Sequence, residues 1–241
     1  MKVIYLKKNH LLIGICLLTI FIIILGFINI KKTKVQPVYY LPISNRIIAI
    51  DPGHGGVDPG AVSKSGIKED ELNLKIALRL KRLIEHSGGI VVMTRETDKG
   101  LYSTLAKTLR QMKTEDLHKR KEIVHDSSSE IFISIHMNSF TKSSYYGAQT
   151  FYKKGSEESK KLSLTIQKEL KNILDINNRR DPQERENVFL LNEIEVPTVL
   201  VECGFLSNEN ELGLLNQEIY QEKIAWAIYI GIMNYFNELE N

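Results

Sequence analysis

His54 and His136 are the residues through which this chain could hold a metal ion. His54 stands in Asp51-Pro52-Gly53-His54-Gly55-Gly56, a glycine-rich turn directly after the apolar run Ile47-Ile48-Ala49-Ile50. His136 follows a second apolar run, Ile131-Phe132-Ile133-Ser134-Ile135. Between them lies an acidic cluster, Lys68-Glu69-Asp70-Glu71. Two imidazoles and one carboxylate, delivered from separate strand ends and loops, make the ligand set of a catalytic zinc site. Such a site uses three protein ligands and leaves a fourth position for water. Spacing alone does not select Glu69 over Asp70 or Glu71. All three also suit a plain helix N-terminus, where the dipole favours acids. Each histidine alone reads equally as a structural residue; the pair, on two strand ends, is what raises the metal reading. Asp51 is close enough in sequence to orient a ligand.

Glu202 is a different oddity. It follows Val199-Leu200-Val201 and precedes Cys203-Gly204-Phe205-Leu206. A carboxylate amid apolar strand residues is costly unless paired or used. Desolvation raises its proton affinity, which suits a general acid/base. The structural alternative is a buried ion pair with an Arg or Lys.

The elements that must position these groups alternate along the chain. Strands are expected at residues 47–51, 90–94, 131–135, 148–152 and 199–201. Helices are expected at 71–86, 104–124, 157–176 and 217–237, the second broken near Thr114 by a cap from Thr114-Glu115-Asp116. This alternation predicts an α/β fold: one three-layer domain with a twisted, mostly parallel or mixed central sheet and helices on both faces. Ligands in such sheets bind beyond the carboxyl ends of the strands, where His54, His136 and Glu202 are all expected.

Residues 11–28 carry no charge and are flanked by lysines. They read as a signal anchor, with a cleaved signal peptide as the alternative. The expected organisation is therefore 1–32 anchor or signal, 33–44 linker and 45–241 catalytic domain, exported from the cytoplasm. The 241 residues carry 32 Lys+Arg against 29 Asp+Glu, a net charge of +3. With no basic block and no Cys/His finger spacing, nucleic acid is not an expected partner. The two cysteines, Cys16 and Cys203, are expected to be free thiols.

The motifs resemble the zinc-dependent N-acetylmuramoyl-L-alanine amidases (the amidase 3 family). The matching stretches are Ile48 to Gly56 with Asp58-Pro59-Gly60-Ala61, Lys68-Glu69 before Leu72-Asn73-Leu74, and Val91-Val92-Met93-Thr94-Arg95 with Asp98. Ser134-Ile135-His136-Met137-Asn138-Ser139 and Pro197 to Asn208 complete the series, in the family's order. The resemblance implies zinc ligation by His54, Glu69 and His136, catalysis by Glu202, and one Zn²⁺ ion as cofactor. It implies peptidoglycan as substrate, cut at the amide between N-acetylmuramic acid and L-alanine. Within the family the chain is most similar to the CwlD-type sporulation and germination amidases. That likeness implies a role in spore cortex modification, in which peptide removal precedes muramic-δ-lactam formation. Expected partners are peptidoglycan, the membrane through the N-terminal segment, and an accessory protein.

Some positions depart from the family pattern. His125 replaces a frequent asparagine and reads as a helix-surface residue, with a role behind the ligands as the alternative. Leu191-Asn192 stands where an arginine is common. The segment 177–196 is too short and polar for the inhibitory helix of some relatives. Arg179, Arg180 and Arg185 read as a solvated loop, with contact to anionic substrate as the alternative. Rival functions are another zinc hydrolase of wall peptides and a weakly catalytic wall-binding protein.

Overall fold

The computed structural model describes residues 8–30 and 40–240. The chain divides into two units, Met1–Tyr39 and Tyr40–Asn241. In the first unit, helix α1 spans Lys8–Ile30. Its segment Lys8–Gly26 has a mean hydropathy of 2.4 and is long and apolar enough to cross a membrane. Most of the expected linker, residues 33–39, lies outside the described residues, as do 1–7 and 31–32.

The second unit runs β1 (Ile47–Pro52), α2 (Glu69–His86), β2 (Ile90–Met93), α3 (Leu109–Asp126), β3 (Ile131–Asn138), β4 (Gln149–Tyr152), α4 (Glu157–Leu174), β5 (Gln183–Glu184), α5 (Phe189–Glu193), β6 (Thr198–Phe205), α6 (Glu209–Leu215) and α7 (Glu218–Glu240). The strands form one sheet in the order β2-β1-β3-β6-β4-β5. The first four are parallel, β4 runs antiparallel to β6, and β5 is parallel to β4. The sheet is therefore mixed, with helices on both faces, as the alternation predicts.

Strand periodicity divides the core. Ile48, Ile50, Ile131, Ile133, Ile135, Val199 and Val201 face α2, α4 and α7, where Ile76, Leu80, Ile166 and Ile228 are fully buried. Ala49 and Phe132 point to the opposite face and pack on Val124 of α3 with Leu190 and Ile194. The second face also carries the polar residues Asp51, Ser134, His136 and Glu202, because all have the same parity along their strands.

Three expectations need correction. Helix α3 is unbroken. It begins at a capping box, in which the Thr108 hydroxyl accepts from Gln111 N–H and the Gln111 side chain accepts from Thr108 N–H. Glu115 and Asp116 do not cap a second helix. They accept from the loop N–H groups of Ser103 and Leu101. Second, β3 and β6 run past the expected ends, so His136 and Glu202 lie within strands near their C-terminal ends. Third, the segment 177–196 contains β5 and α5, and its Leu190, Leu191 and Ile194 are buried. Those three apolar residues cover the second sheet face, which a polar reading of the segment overlooks.

Candidate active site

The turn after β1 puts His54 in a left-handed backbone conformation, with φ 63°. A non-glycine residue there is strained, and such strain persists only where the surroundings enforce it. Two buried arginines do so. Arg95 donates to the carbonyls of Pro52 (2.9 Å) and Gly53 (3.0 Å). Arg120 donates to the carbonyls of Pro52 (2.9 Å) and His54 (2.6 Å). Asn73 adds a bond to the Gly53 carbonyl at 3.1 Å. Arg120 is in turn held by Asp51 at 2.7 Å and by Asp116.

Asp51 therefore does not orient the His54 ring, as its sequence position suggests. Its carboxylate accepts from Thr94, Ser134 and Arg120 and anchors the clamp. Although burial opposes the charge, these partners hold its pKa down at about 2. The residue that orients His54 is Asp58, whose Oδ2 lies 2.9 Å from Nδ1. Sequence reasoning missed that role, although Asp58 stands inside the Asp58-Pro59-Gly60-Ala61 motif four residues on.

Three side chains converge. The ligand-capable atoms of His54, Glu69 and His136 all lie within 4.8 Å of one another. Glu69 Oε1 is 3.3 Å from His54 Nε2 and 3.0 Å from His136 Nδ1. The imidazole centroids are 5.0 Å apart, with planes at 80°. Glu69 is fixed by Met137 N–H at Oε1 (3.1 Å) and Ala61 N–H at Oε2 (2.8 Å). Its two acidic neighbours are elsewhere: Asp70 is buried beside Asp98 and Arg95, and the exposed Glu71 pairs with Lys68. Of the three acids that spacing leaves open, Glu69 is the one that meets the histidines.

Close packing here depends on two glycines. A Cβ on Gly53 would lie 2.2 Å from the His136 ring, and one on Gly60 would lie 2.6 Å from Glu69 Oε2. Burial opposes charge on both Glu69 and His54, but their mutual pairing prevails. The two histidines hold the Glu69 carboxyl well below its usual range. Asp58 and Glu69 raise His54 to about 10. The donor set of two imidazoles and one carboxylate matches a divalent metal. Asp58 completes a carboxylate–histidine pair of the kind that supports metal ligands.

Glu202 sits beside this cluster, in register with His136 on the adjacent parallel strand. Its Oε1 accepts from Arg185 at 3.2 Å, whereas Oε2 is buried without a hydrogen-bond partner. The ion pair of the structural alternative is therefore present, but on one oxygen only. Burial raises the Glu202 pKa despite Arg185 and His136. The arginine segment is not simply solvated. Arg185 stacks on Phe151 at 4.5 Å, and Arg180 stacks on Phe205 at 4.6 Å while donating to Gln149. Arg179 is exposed. His125 lies on the exposed face of α3 beside Asp126, away from the cluster. Cys16 and Cys203 are free, the latter buried.

A family model described as N-acetylmuramoyl-L-alanine amidase matches residues 48–234. The germination-specific N-acetylmuramoyl-L-alanine amidase of Bacillus subtilis is 39% identical over 198 residues, covering 82% of this chain and 83% of the relative. The amidase LytC of the same organism is 31% identical over 215 residues, or 88% of this chain, which spans 40% of LytC. The CwlD amidase of Clostridioides difficile, solved in complex with the GerS lipoprotein, is 52% identical with a TM-score of 0.79. That match covers 80% of this chain and all of the other. The chain belongs to the N-acetylmuramoyl-L-alanine amidase family, as a peptidoglycan hydrolase related to the germination-specific, CwlD-type amidases.

Proposed function

We propose that this amidase is a single-zinc enzyme in which His54, Glu69 and His136 hold the ion and Glu202 is the catalytic acid/base. The observation that carries the proposal is the convergence of those three side chains beside a buried carboxylate with one unpaired oxygen. When bound, zinc supplies Lewis-acid polarisation of the scissile carbonyl and lowers the pKa of a water molecule. Glu202 takes a proton from the attacking water at Oε2 and delivers it to the departing alanine nitrogen as the C–N bond breaks. Arg185 keeps Oε1 occupied, so that one oxygen of the carboxylate faces the work. The two arginine clamps hold the His54 turn, and Asp58 fixes the ring's orientation.

The substrate bond is the amide joining the lactyl group of N-acetylmuramic acid to L-alanine. Likeness to the germination-specific amidase of Bacillus subtilis supports a role in spore cortex, where removal of the peptide precedes muramic-δ-lactam formation. The CwlD amidase of Clostridioides difficile was solved with a lipoprotein, and this chain takes an accessory protein of that kind. Helix α1 anchors residues 45–241, the catalytic domain, on the outer side of the membrane.

The test is digestion of spore-type and vegetative peptidoglycan by the full-length protein, with and without chelator, followed by mass spectrometry. The expected products are peptide-free muramic acid residues and peptides with free L-alanine N-termini, both lost on chelation and restored by zinc. Products cut within the peptide would refute the bond assignment. Chelator-resistant cleavage would refute the metal.

A further inference from the structure

A cavity of about 180 Å³ opens beside His54 and His136 on the α3 side of the site. Its walls are largely apolar, with Val57, Tyr102, Met112, Leu117 and Leu190 among them. Two cations border it, together with the carboxylates of Asp51, Asp58 and Asp116. Arg120 is buried and fully engaged by Asp51, Asp116 and backbone carbonyls. Lys113 stands on the same face of α3, one turn before Leu117 and two before Arg120. Its ammonium lies 2.8 Å from Asp58 Oδ1, and its side chain is 51% exposed. An ammonium has three donors, and Asp58 is its ion-pair partner among the described residues. Asp58 thus holds the Lys113 charge at the cavity mouth while bonding His54 with its other oxygen.

The substrate limits what a cation there can meet. The lactyl carboxyl of N-acetylmuramic acid is consumed in the scissile amide, so the glycan next to the cut carries no anion. Negative charge close to that bond belongs to the carboxylates of the stem peptide. Relying on the proposed amidase site, we infer that Lys113 is a specificity residue. It pairs with a free carboxylate of the stem peptide and orients the peptide side of the scissile amide along α3. A carboxylate accepts charge-assisted bonds that the corresponding amide cannot match.

The experiment uses the full-length, zinc-loaded protein and two N-acetylmuramoyl-L-alanyl peptides. They differ only in whether the second residue's carboxyl is free or amidated. The wild type should show a KM roughly twofold to fivefold lower for the free acid, the scale of a partly exposed ion pair. Lys113→Gln should bring the two KM values together, and Lys113→Arg should restore part of the difference. Unchanged discrimination in Lys113→Gln overturns the inference. So does an equal fall in kcat on both substrates with loss of bound zinc, which would assign Lys113 a purely structural role through Asp58 and His54. If the wild type cleaves neither substrate, the amidase reading fails for the protein acting alone, and calorimetry with the corresponding free peptides, acid and amide, decides the inference separately. Tighter binding of the acid peptide, abolished in Lys113→Gln, supports it, and equal binding of acid and amide refutes it.

Discussion

Replacing Glu202 by glutamine separates its chemical role from its structural one. The glutamine side chain has nearly the same volume and can still accept from Arg185, so the ion-pair position stays filled by a hydrogen bond from the guanidinium to a neutral amide oxygen. The proposed metal site is untouched, because Glu202 is not among the three converging groups. What the proposed mechanism loses is proton transfer at Oε2, the buried oxygen without a partner. A general acid/base contributes about 10²–10⁴ in rate, equivalent to roughly 3–5 kcal/mol at the transition state. Stability should move the other way. Burial raises the folded-state pKa of Glu202 above its ordinary value of 4.5. The stabilisation of its protonated form is therefore complete below the unfolded pKa and is lost as pH rises through the folded one. At neutral pH the wild type carries a desolvation penalty on the ionised acid that the neutral amide does not. The Glu202→Gln variant should keep stoichiometric zinc, keep or raise its Tm, and lose two to four decades of kcat on a muramoyl-L-alanyl peptide. Metal analysis, thermal unfolding and steady-state kinetics on one preparation measure all three. Activity above a tenth of wild type, or a Tm several degrees lower with zinc lost, would make Glu202 a structural partner of Arg185 and sink the mechanism.

Gly53→Ala should displace the His136 ring, because the added methyl would lie 2.2 Å from it. Overpacking of this kind costs about 1–3 kcal/mol, and a ligand moved by an ångström can cost about a hundredfold in rate. Metal analysis should show zinc occupancy reduced together with kcat, and full occupancy would contradict the packing argument. Asp51 should give the fold an acid limb. Its pKa is depressed from 3.8 to about 2, worth about 2 kcal/mol at ~1.4 kcal/mol per pH unit. That contribution is present above pH ~4 and is lost as pH falls through ~2. In urea unfolding, the stability gap between wild type and Asp51→Asn should narrow over that window. A gap independent of pH would show that the Asp51–Arg120 pair does not set the limb.

Much of the fold was legible because strand and helix periodicities are local. The runs before Asp51, His136 and Glu202 form β1, β3 and β6 in the parallel core of the sheet. The expected break in α3 failed because Glu115 and Asp116 look like caps in sequence. Their acceptors serve instead a loop that folds back over the helix. Helix α5 escaped notice because its few apolar residues are too short a run to show a period.

At the site, the chain's own residue order settled the ingredients: a histidine on a glycine turn, a histidine near a strand end, an acid in an apolar strand, and an acidic cluster between them. Their combination also identified the family. Tertiary structure decided the pairings. It chose Glu69 over Asp70 and Glu71 because the phase of α2 turns Glu69 toward Met137 N–H and both imidazoles. It moved Asp51 from ligand support to the arginine clamp and gave ring orientation to Asp58. It placed Arg185 on one oxygen of Glu202 and left the other free. The reason is physical: residue type and local period are written along the chain, whereas hydrogen-bond partners depend on distances between segments that only packing brings together.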